Sequence, residues 1–258
     1  MNAIRSVLFY IYMYGFMTLF GLTGLPLLLL PRAWSRAYLR AYLNVLWFGL
    51  AAIQGVRFEV RGREHLPEGG ALVASKHMSM WETLAFWEIL PDPAIILKKS
   101  LIYMPFFGWF AVKLGNISID REGGSKALKK MLRDAAARGA EGRQVLIFPE
   151  GTRVAPGEAP DFKPGIAGLY MSMGVPCVPV ALNSGVFLKT YCGRKRGGLI
   201  VVEFLPAIQP GLDKREFMRQ LHERINSASS RLEGMGAGAP QSDQSLSDQS
   251  LLGKTDRA

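Results

Sequence analysis

Between Arg5 and Arg32 the chain runs for 26 residues without a charge, SVLFYIYMYGFMTLFGLTGLPLLLLP. A helix of about 25 such residues would reach roughly 37 Å, against a hydrocarbon core of about 30 Å, so the run is long enough to span a bilayer. A second apolar patch, AYLNVLWFGLAAIQG (41–55), is too short to span comfortably. Together they predict an N-terminal helical hairpin that dips into one leaflet, with arginines and Tyr/Trp rings at the headgroup level. A helix buried in a soluble core is the alternative, but a run this long is hard to wrap completely in a chain of this size. A cleaved signal peptide fits less well, because the run is too long and PRAWSRAYLR follows it where a small-residue cleavage site would stand.

After residue 55 the pattern changes to short β-rich runs alternating with helical ones. Strands are predicted at VRFEVRG (56–62), ALVAS (71–75), AIILK (94–98), NISID (116–120), QVLIF (144–148), CVPVAL (177–182) and LIVVEFL (199–205). Helices are predicted over about 80–90, 100–113, 125–138, 165–173 and 213–232. Such alternation reads as an α/β fold, a largely buried sheet flanked by helices. Past about 234 comes GMGAGAPQSDQSLSDQSLLGKTDRA, with SDQSL in tandem, a composition too polar to order itself. The chain is thus divided into a membrane-associated hairpin (1–55), a catalytic domain (56–233) and a disordered tail (234–258).

The 258 residues suit one full α/β domain with an appendage. The formal charge of +10 suits a polyanionic partner such as nucleic acid, an anionic membrane surface or a phosphorylated substrate. Its distribution decides between them. The first 58 residues hold Arg5, Arg32, Arg36, Arg40 and Arg57 with no lysine and no acid, so the basic cluster is attached to an apolar hairpin, and no nucleic-acid recognition motif appears. The two cysteines, Cys177 and Cys192, argue against a disulfide scaffold, and no metal-ligand spacing occurs.

His77 is one of three histidines, and it stands five residues before Glu82 in ASKHMSMWETLAF (74–86). Inside one helix the two would sit about 140° apart, so they can meet only if His77 precedes the helix and Glu82 lies in its first turn. Ser79-Met80-Trp81-Glu82 matches a capping box ahead of an apolar run, which would leave His77 on the strand-to-helix loop. Locally, Glu82 reads equally as an ordinary capping residue and His77 as a loop histidine bonded to backbone. Two later motifs add weight: GNISIDR (115–121) and FPEGTR (148–153) each put an arginine at the end of a strand, where α/β sheets gather their ligand sites. Arginine's planar fork suits a phosphate.

The ordered set resembles the glycerolipid acyltransferase family, most closely its bacterial 1-acyl-glycerol-3-phosphate acyltransferases. Four blocks follow in order across about residues 60–205: His77 with Glu82, KKSLIYMPFFGW leading into GNISIDR, FPEGTR, and VPCVPVAL (175–182). The resemblance implies transfer of a fatty acyl group from acyl-coenzyme A or acyl carrier protein to the 2-hydroxyl of lysophosphatidic acid, with no cofactor. It implies His77 as the base and Glu82 as its partner, and it assigns Arg121, Glu150, Gly151, Thr152 and Arg153 to the acceptor's glycerol phosphate. Lys98 or Lys99 is expected to assist the phosphate or the oxyanion. The implied partners are membrane lipids and the two substrates, at an inner membrane with the catalytic domain facing the cytoplasm. The apolar run YMPFFGWF (103–110) would lie at the membrane or line an acyl channel, with core packing as the alternative.

One position departs from the family pattern, which usually has Asp where this chain has Glu82. A functional substitute is expected there, so that Glu82→Asp retains measurable activity. Rival classes fit less well. A serine esterase lacks its G-x-S-x-G, a cysteine acyl-enzyme finds no activating surroundings for Cys177 in VPCVP, and another lysolipid acceptor or a non-catalytic lipid-binding protein remain as alternatives.

Overall fold

In this computed structural model, which describes residues 2–188 and 197–237, all the predicted strands form. They are β1 (Val56–Arg61), β2 (Ala71–Ser75), β3 (Pro93–Lys98), β4 (Ile117–Ile119), β5 (Gln144–Ile147), β6 (Cys177–Leu182) and β7 (Gly198–Phe204). They make one 7-stranded sheet in the order β1-β7-β6-β2-β5-β3-β4. β6, β2, β5, β3 and β4 run parallel, while β7 meets β6 antiparallel and carries β1 parallel beside it, so the sheet is mixed. The helices are α1 (Asn2–Thr23), α2 (Arg32–Gly49), α3 (Trp81–Ile89), α4 (Phe107–Lys113), α5 (Gly124–Ala140), α6 (Gly165–Met173), α7 (Ser184–Phe187) and α8 (Lys214–Ala237).

Successive strand residues point to opposite faces, and both faces are covered. Val73, Leu146, Val178 and Val180 share a core with Phe9 and Met13 of α1, Tyr42, Leu43, Leu46 and Trp47 of α2, and Trp81 and Phe86 of α3. Leu72, Ala74 and Val145 face the other way, into a core with Met131 and Ala135 of α5, Ile166 and Tyr170 of α6, and Phe217, Leu221 and Ile225 of α8. This double coverage is why the central strands read as continuous apolar runs.

The hairpin forms, though not with a spanning helix. α1 ends at Thr23, and Leu25–Leu28, which includes Pro26, turns as a short 3₁₀ segment. Pro26 has no amide hydrogen to continue an α-helical ladder. Among the described residues no helix is long and apolar enough to cross a membrane. α1 and α2 pack tightly, since a Cβ on Gly49 would come within 2.1 Å of the Tyr12 ring. The arginines of α2, expected at the headgroup level, turn instead toward the catalytic domain. Arg32 grips Asp92 through 2.6 and 3.0 Å bonds, Arg36 approaches the same carboxylate at 3.4 Å, and Arg40 donates to the carbonyls of Leu90 and Pro91. Spaced four apart, they share one helix face, and that face meets an acid and the electronegative end of α3.

The single helix expected over 100–113 is also broken. Lys99–Tyr103 forms a 3₁₀ turn, and α4 starts only at Phe107. Pro105 disfavours helical backbone in the residue before it. The amide of Phe107 then reaches back to Pro105 O at 2.7 Å, forcing Phe106 to φ 61°, ψ −63°, a strained γ-turn geometry for a non-glycine residue. At the other end, α8 continues to Ala237, past the boundary drawn at 233. Residues 238–258 and Cys192 lie outside the described residues; Cys177 is buried and free.

Candidate active site

The residues singled out from the sequence gather at the carboxyl ends of the adjacent parallel strands β2, β5, β3 and β4, on the strand ends, the loops that follow them and the first turn of α3. β2 ends at Ser75, α3 begins at Trp81, and His77 sits on the loop between them. Its Nδ1 lies 2.9 Å from Glu82 Oε1. The imidazole stacks on the Phe148 ring with centroids 4.1 Å apart, and its Nε2 has no hydrogen-bond partner among the described residues. The His77 side chain is 15% exposed and that of Glu82 is 0% exposed, so one edge of the ring meets solvent while its partner does not.

The capping box forms in altered guise. The cap position falls at Met80, and Ser79 Oγ accepts from the Trp81 amide at 3.1 Å. Glu82 Oε1 takes the amides of Met78 and Ser79, each at 2.6 Å, as well as His77. Its Oε2 accepts the hydroxyls of Ser79 at 2.6 Å and Ser184 at 2.8 Å. Capping and holding the histidine are therefore done by the same carboxylate. Burial alone would raise the Glu82 pKa, but the bond and charge of His77 and the bonds from Ser79 outweigh it and hold the pKa below the ordinary value. An ionised carboxylate on Nδ1 fixes the tautomer that leaves Nε2 free to accept a proton.

FPEGTR folds around this pair. Phe148 supplies the stacked ring, and the Val154 amide bonds His77 O at 2.8 Å. Between them the chain turns at Gly151, whose φ of 72° few side chains tolerate. The side chain of Lys163 lies across that glycine, with Cγ 3.3 Å from where a Cβ would stand. Glu150 is buried, and neither carboxylate oxygen has a hydrogen-bond partner among the described residues. Burial pushes its pKa up to about 7, with the Glu82 charge adding and the amides of Glu150 and His77 and the Lys76 ammonium opposing.

Thr152 and Arg153 are exposed, as are Lys98 at the end of β3 and Arg121 just past β4. None of the three cations forms a salt bridge among the described residues. Lys99 does: it pairs with Asp120 at 3.1 Å, which leaves Lys98 the freer of the two lysines. No direct bond joins these cations to His77 among the described residues; they share its edge of the sheet.

Sequence reasoning missed Ser184, Lys163 and Lys76. Ser184 follows the last block directly, in VALNSG, where a polar pair ends a fully buried strand. Lys76 is a charge inside an otherwise apolar run next to the histidine, and it is 1% exposed.

Comparisons with known proteins place the chain in a family. A family model described as Acyltransferase matches residues 57–183. The chain is 33% identical over 232 residues to the 1-acyl-sn-glycerol-3-phosphate acyltransferase of Pseudomonas aeruginosa, covering 88% of this chain and 89% of that protein. It is 28% identical over 180 residues to the enzyme of that name from Escherichia coli K12, covering 69% and 73%. The fold matches the crystal structure of the 1-acyl-sn-glycerophosphate (LPA) acyltransferase PlsC from Thermotoga maritima, with a TM-score of 0.74, 20% identity, and 90% of this chain and 98% of that one covered. The chain is thus an enzyme of the acyltransferase family, and belongs with the bacterial 1-acyl-sn-glycerol-3-phosphate acyltransferases.

Proposed function

We propose that the chain transfers a fatty acyl group from acyl-coenzyme A or acyl carrier protein to the 2-hydroxyl of 1-acyl-glycerol-3-phosphate, producing phosphatidic acid. The observation that carries this reading is the His77–Glu82 pair: a solvent-edged imidazole held at 2.9 Å by a fully buried carboxylate. The acceptor hydroxyl attacks the thioester carbonyl while His77 Nε2 takes its proton. When the tetrahedral intermediate collapses, the carbon–sulfur bond breaks and the imidazolium returns that proton to the departing thiolate. Glu82 stabilises the imidazolium between the two steps.

Arg121 and Arg153 bind the acceptor phosphate, with Lys98 assisting the phosphate or the oxyanion and with Glu150, Gly151 and Thr152 forming the turn that receives the glycerol. The acyl chain enters the apolar cavity between the hairpin and α4, which Phe20, Tyr42, Trp87, Phe107 and Phe110 help to line. The other side of the same elements faces outward and is apolar: Ile4, Leu8 and Ile11 on α1, Leu29 and Leu30 in the turn, and Met104, Trp109 and Val112 at α4 are exposed. A helix apolar on both its packed and its open side suits a lipid surface. The hairpin therefore lies in one leaflet, and the catalytic domain from residue 56 onward stands on the cytoplasmic side of the inner membrane.

Thiol release from a long-chain acyl-coenzyme A tests the reaction, with and without lysophosphatidic acid, for detergent-purified wild type and His77→Ala. Release that needs the acceptor, yields phosphatidic acid and vanishes in the mutant is expected. Acceptor-independent release would make the chain a hydrolase, and none with either donor would point to another lysolipid acceptor or to a non-catalytic lipid binder.

A further inference from the structure

The outer oxygen of the Glu82 carboxylate is held by two hydroxyls from different parts of the chain, Ser79 at 2.6 Å and Ser184 at 2.8 Å, with all three side chains buried. The two serine oxygens themselves are 3.1 Å apart, so they close a small triangle around Oε2. Ser79 belongs to the same loop as His77. Ser184 does not: it opens α7, directly after β6. Its position is fixed by its neighbour Asn183, whose side-chain oxygen accepts the Val201 amide of β7 at 2.8 Å and whose amide donates to Leu232 O of α8 at 3.1 Å.

We infer that Ser184 is a positioning residue for the base, and that with Ser79 it fits the site to a glutamate at position 82. The inference rests on the acyl-transfer reading above. Glutamate has one more rotatable bond than aspartate, and an unanchored outer oxygen would let the carboxylate swing away from the imidazole. Three N–H groups hold Oε1, from His77, Met78 and Ser79, but all three belong to one short loop. Ser184 supplies the opposing contact from across the site. An aspartate carboxylate on the same backbone would stand about 1.5 Å further back, one carbon–carbon bond. It could not keep the His77 contact and still reach a hydroxyl fixed by β7 and α8.

The hydroxyl also draws charge from the carboxylate. Removing it leaves more negative charge on the oxygen that faces the imidazole, which strengthens the pull on the Nδ1 proton. The charged groups acting on this carboxylate are His77 itself and Glu150, with Lys76 acting on Glu150 in turn. None of these is altered in Ser184→Ala.

The test is a double-mutant cycle between positions 82 and 184. Loss of one hydrogen bond to a charged group is expected to lower kcat about tenfold in Ser184→Ala, with both KM values unchanged. NMR of the His77 ring should show the resonance of its Nδ1 proton displaced, because that proton is shared with the carboxylate Ser184 holds. In a Glu82→Asp background the same change should have no further effect on either measure. Ser184→Cys is slightly larger and leaves only a weak donor, so it should move both readouts in the same direction. Unchanged kcat and an unmoved Nδ1 proton resonance in Ser184→Ala, or effects that simply add in the cycle, would overturn the inference. A wild type whose Nδ1 proton resonance responds to Ser184→Ala but which transfers no acyl group would sink the acyl-transfer reading and leave the clamp standing.

Discussion

The ammonium of Lys76 lies 2.7 Å from the side-chain oxygen of Asn226, although 150 residues separate them in sequence. The same ammonium donates to Glu158 O at 2.7 Å, and Glu233 of α8 accepts the Gly157 amide at 2.7 Å. The loop that follows FPEGTR is therefore tied to α8 through the residue next to the base. Asn226→Leu leaves a buried ammonium short of one acceptor, and it should cost about 1.5–3 kcal/mol. A drop in the denaturant midpoint at unchanged slope checks this; no drop would mean that the ammonium finds another acceptor.

Glu150 gives the fold a pH dependence. Its folded pKa stands at about 7 against an ordinary 4.5, chiefly through burial. A raised carboxyl pKa means that no penalty exists below pH 4.5, that it grows as the pH rises, and that it is complete once the pH passes about 7. The full penalty is about 3 kcal/mol. Glu150→Gln should remove it, so the variant gains on wild type between pH 5 and 8; parallel stability curves would show that the carboxyl ionises freely.

The base and its partner differ in what their loss should do. His77→Ala should lower kcat by about 10²–10⁴-fold. Glu82→Gln keeps the shape but loses the charge, and should fall in the same range with its acceptor KM intact. Glu82→Asp keeps the charge and should retain measurable activity below that of wild type. Equal inactivity of Asp and Gln at position 82 would show that reach matters as much as charge.

Arg121 and Arg153 are exposed at the same edge of the sheet as His77. Replacing either by Ala should raise the acceptor KM by about tenfold, the loss of one charge-assisted contact, with a smaller change in kcat. An unchanged KM in both would place the phosphate elsewhere, and Lys163 above Gly151 is the next position to test.

Leu29 and Trp34 are 90% and 61% exposed at the tip of the hairpin. Burying such side chains in lipid contributes about 1.5–3 kcal/mol each. Replacing both by Glu should cut sedimentation with anionic vesicles by more than about tenfold while soluble-acceptor turnover persists. Undiminished sedimentation would move the lipid contact to another face.

All the strands were legible in the sequence, because strands buried on both faces are short apolar runs bounded by turns, and each such run became a strand. The helix boundaries were less legible where proline intervened, at Pro26 and Pro105, since a run of apolar residues looks the same on both sides of a break. The spacing permitted the approach of His77 to Glu82, and the later motifs pointed to it. Ser184, Lys76 and Asn226 could not be read this way, because their roles arise from pairing β6 with β2 and laying α8 over the sheet, contacts that span 102 and 150 residues. The contacts of Arg32, Arg36 and Arg40 were hidden for a related reason: a basic stripe on a helix looks alike whether or not it also meets an acid such as Asp92.

The order of the strands also sets an order in time. β2 sits between β5 and β6 in the sheet, and both of those leave the ribosome long after His77 and Glu82 have done so. A nascent chain that ends before Ser184 already contains the helical hairpin and the His77 loop, but the outer oxygen of its Glu82 carboxylate has Ser79 alone to hold it. Such long-range pairings form late in folding. The complete hold on Glu82 therefore waits until β7 and α8 have closed over the sheet and fixed Asn183 beside Ser184.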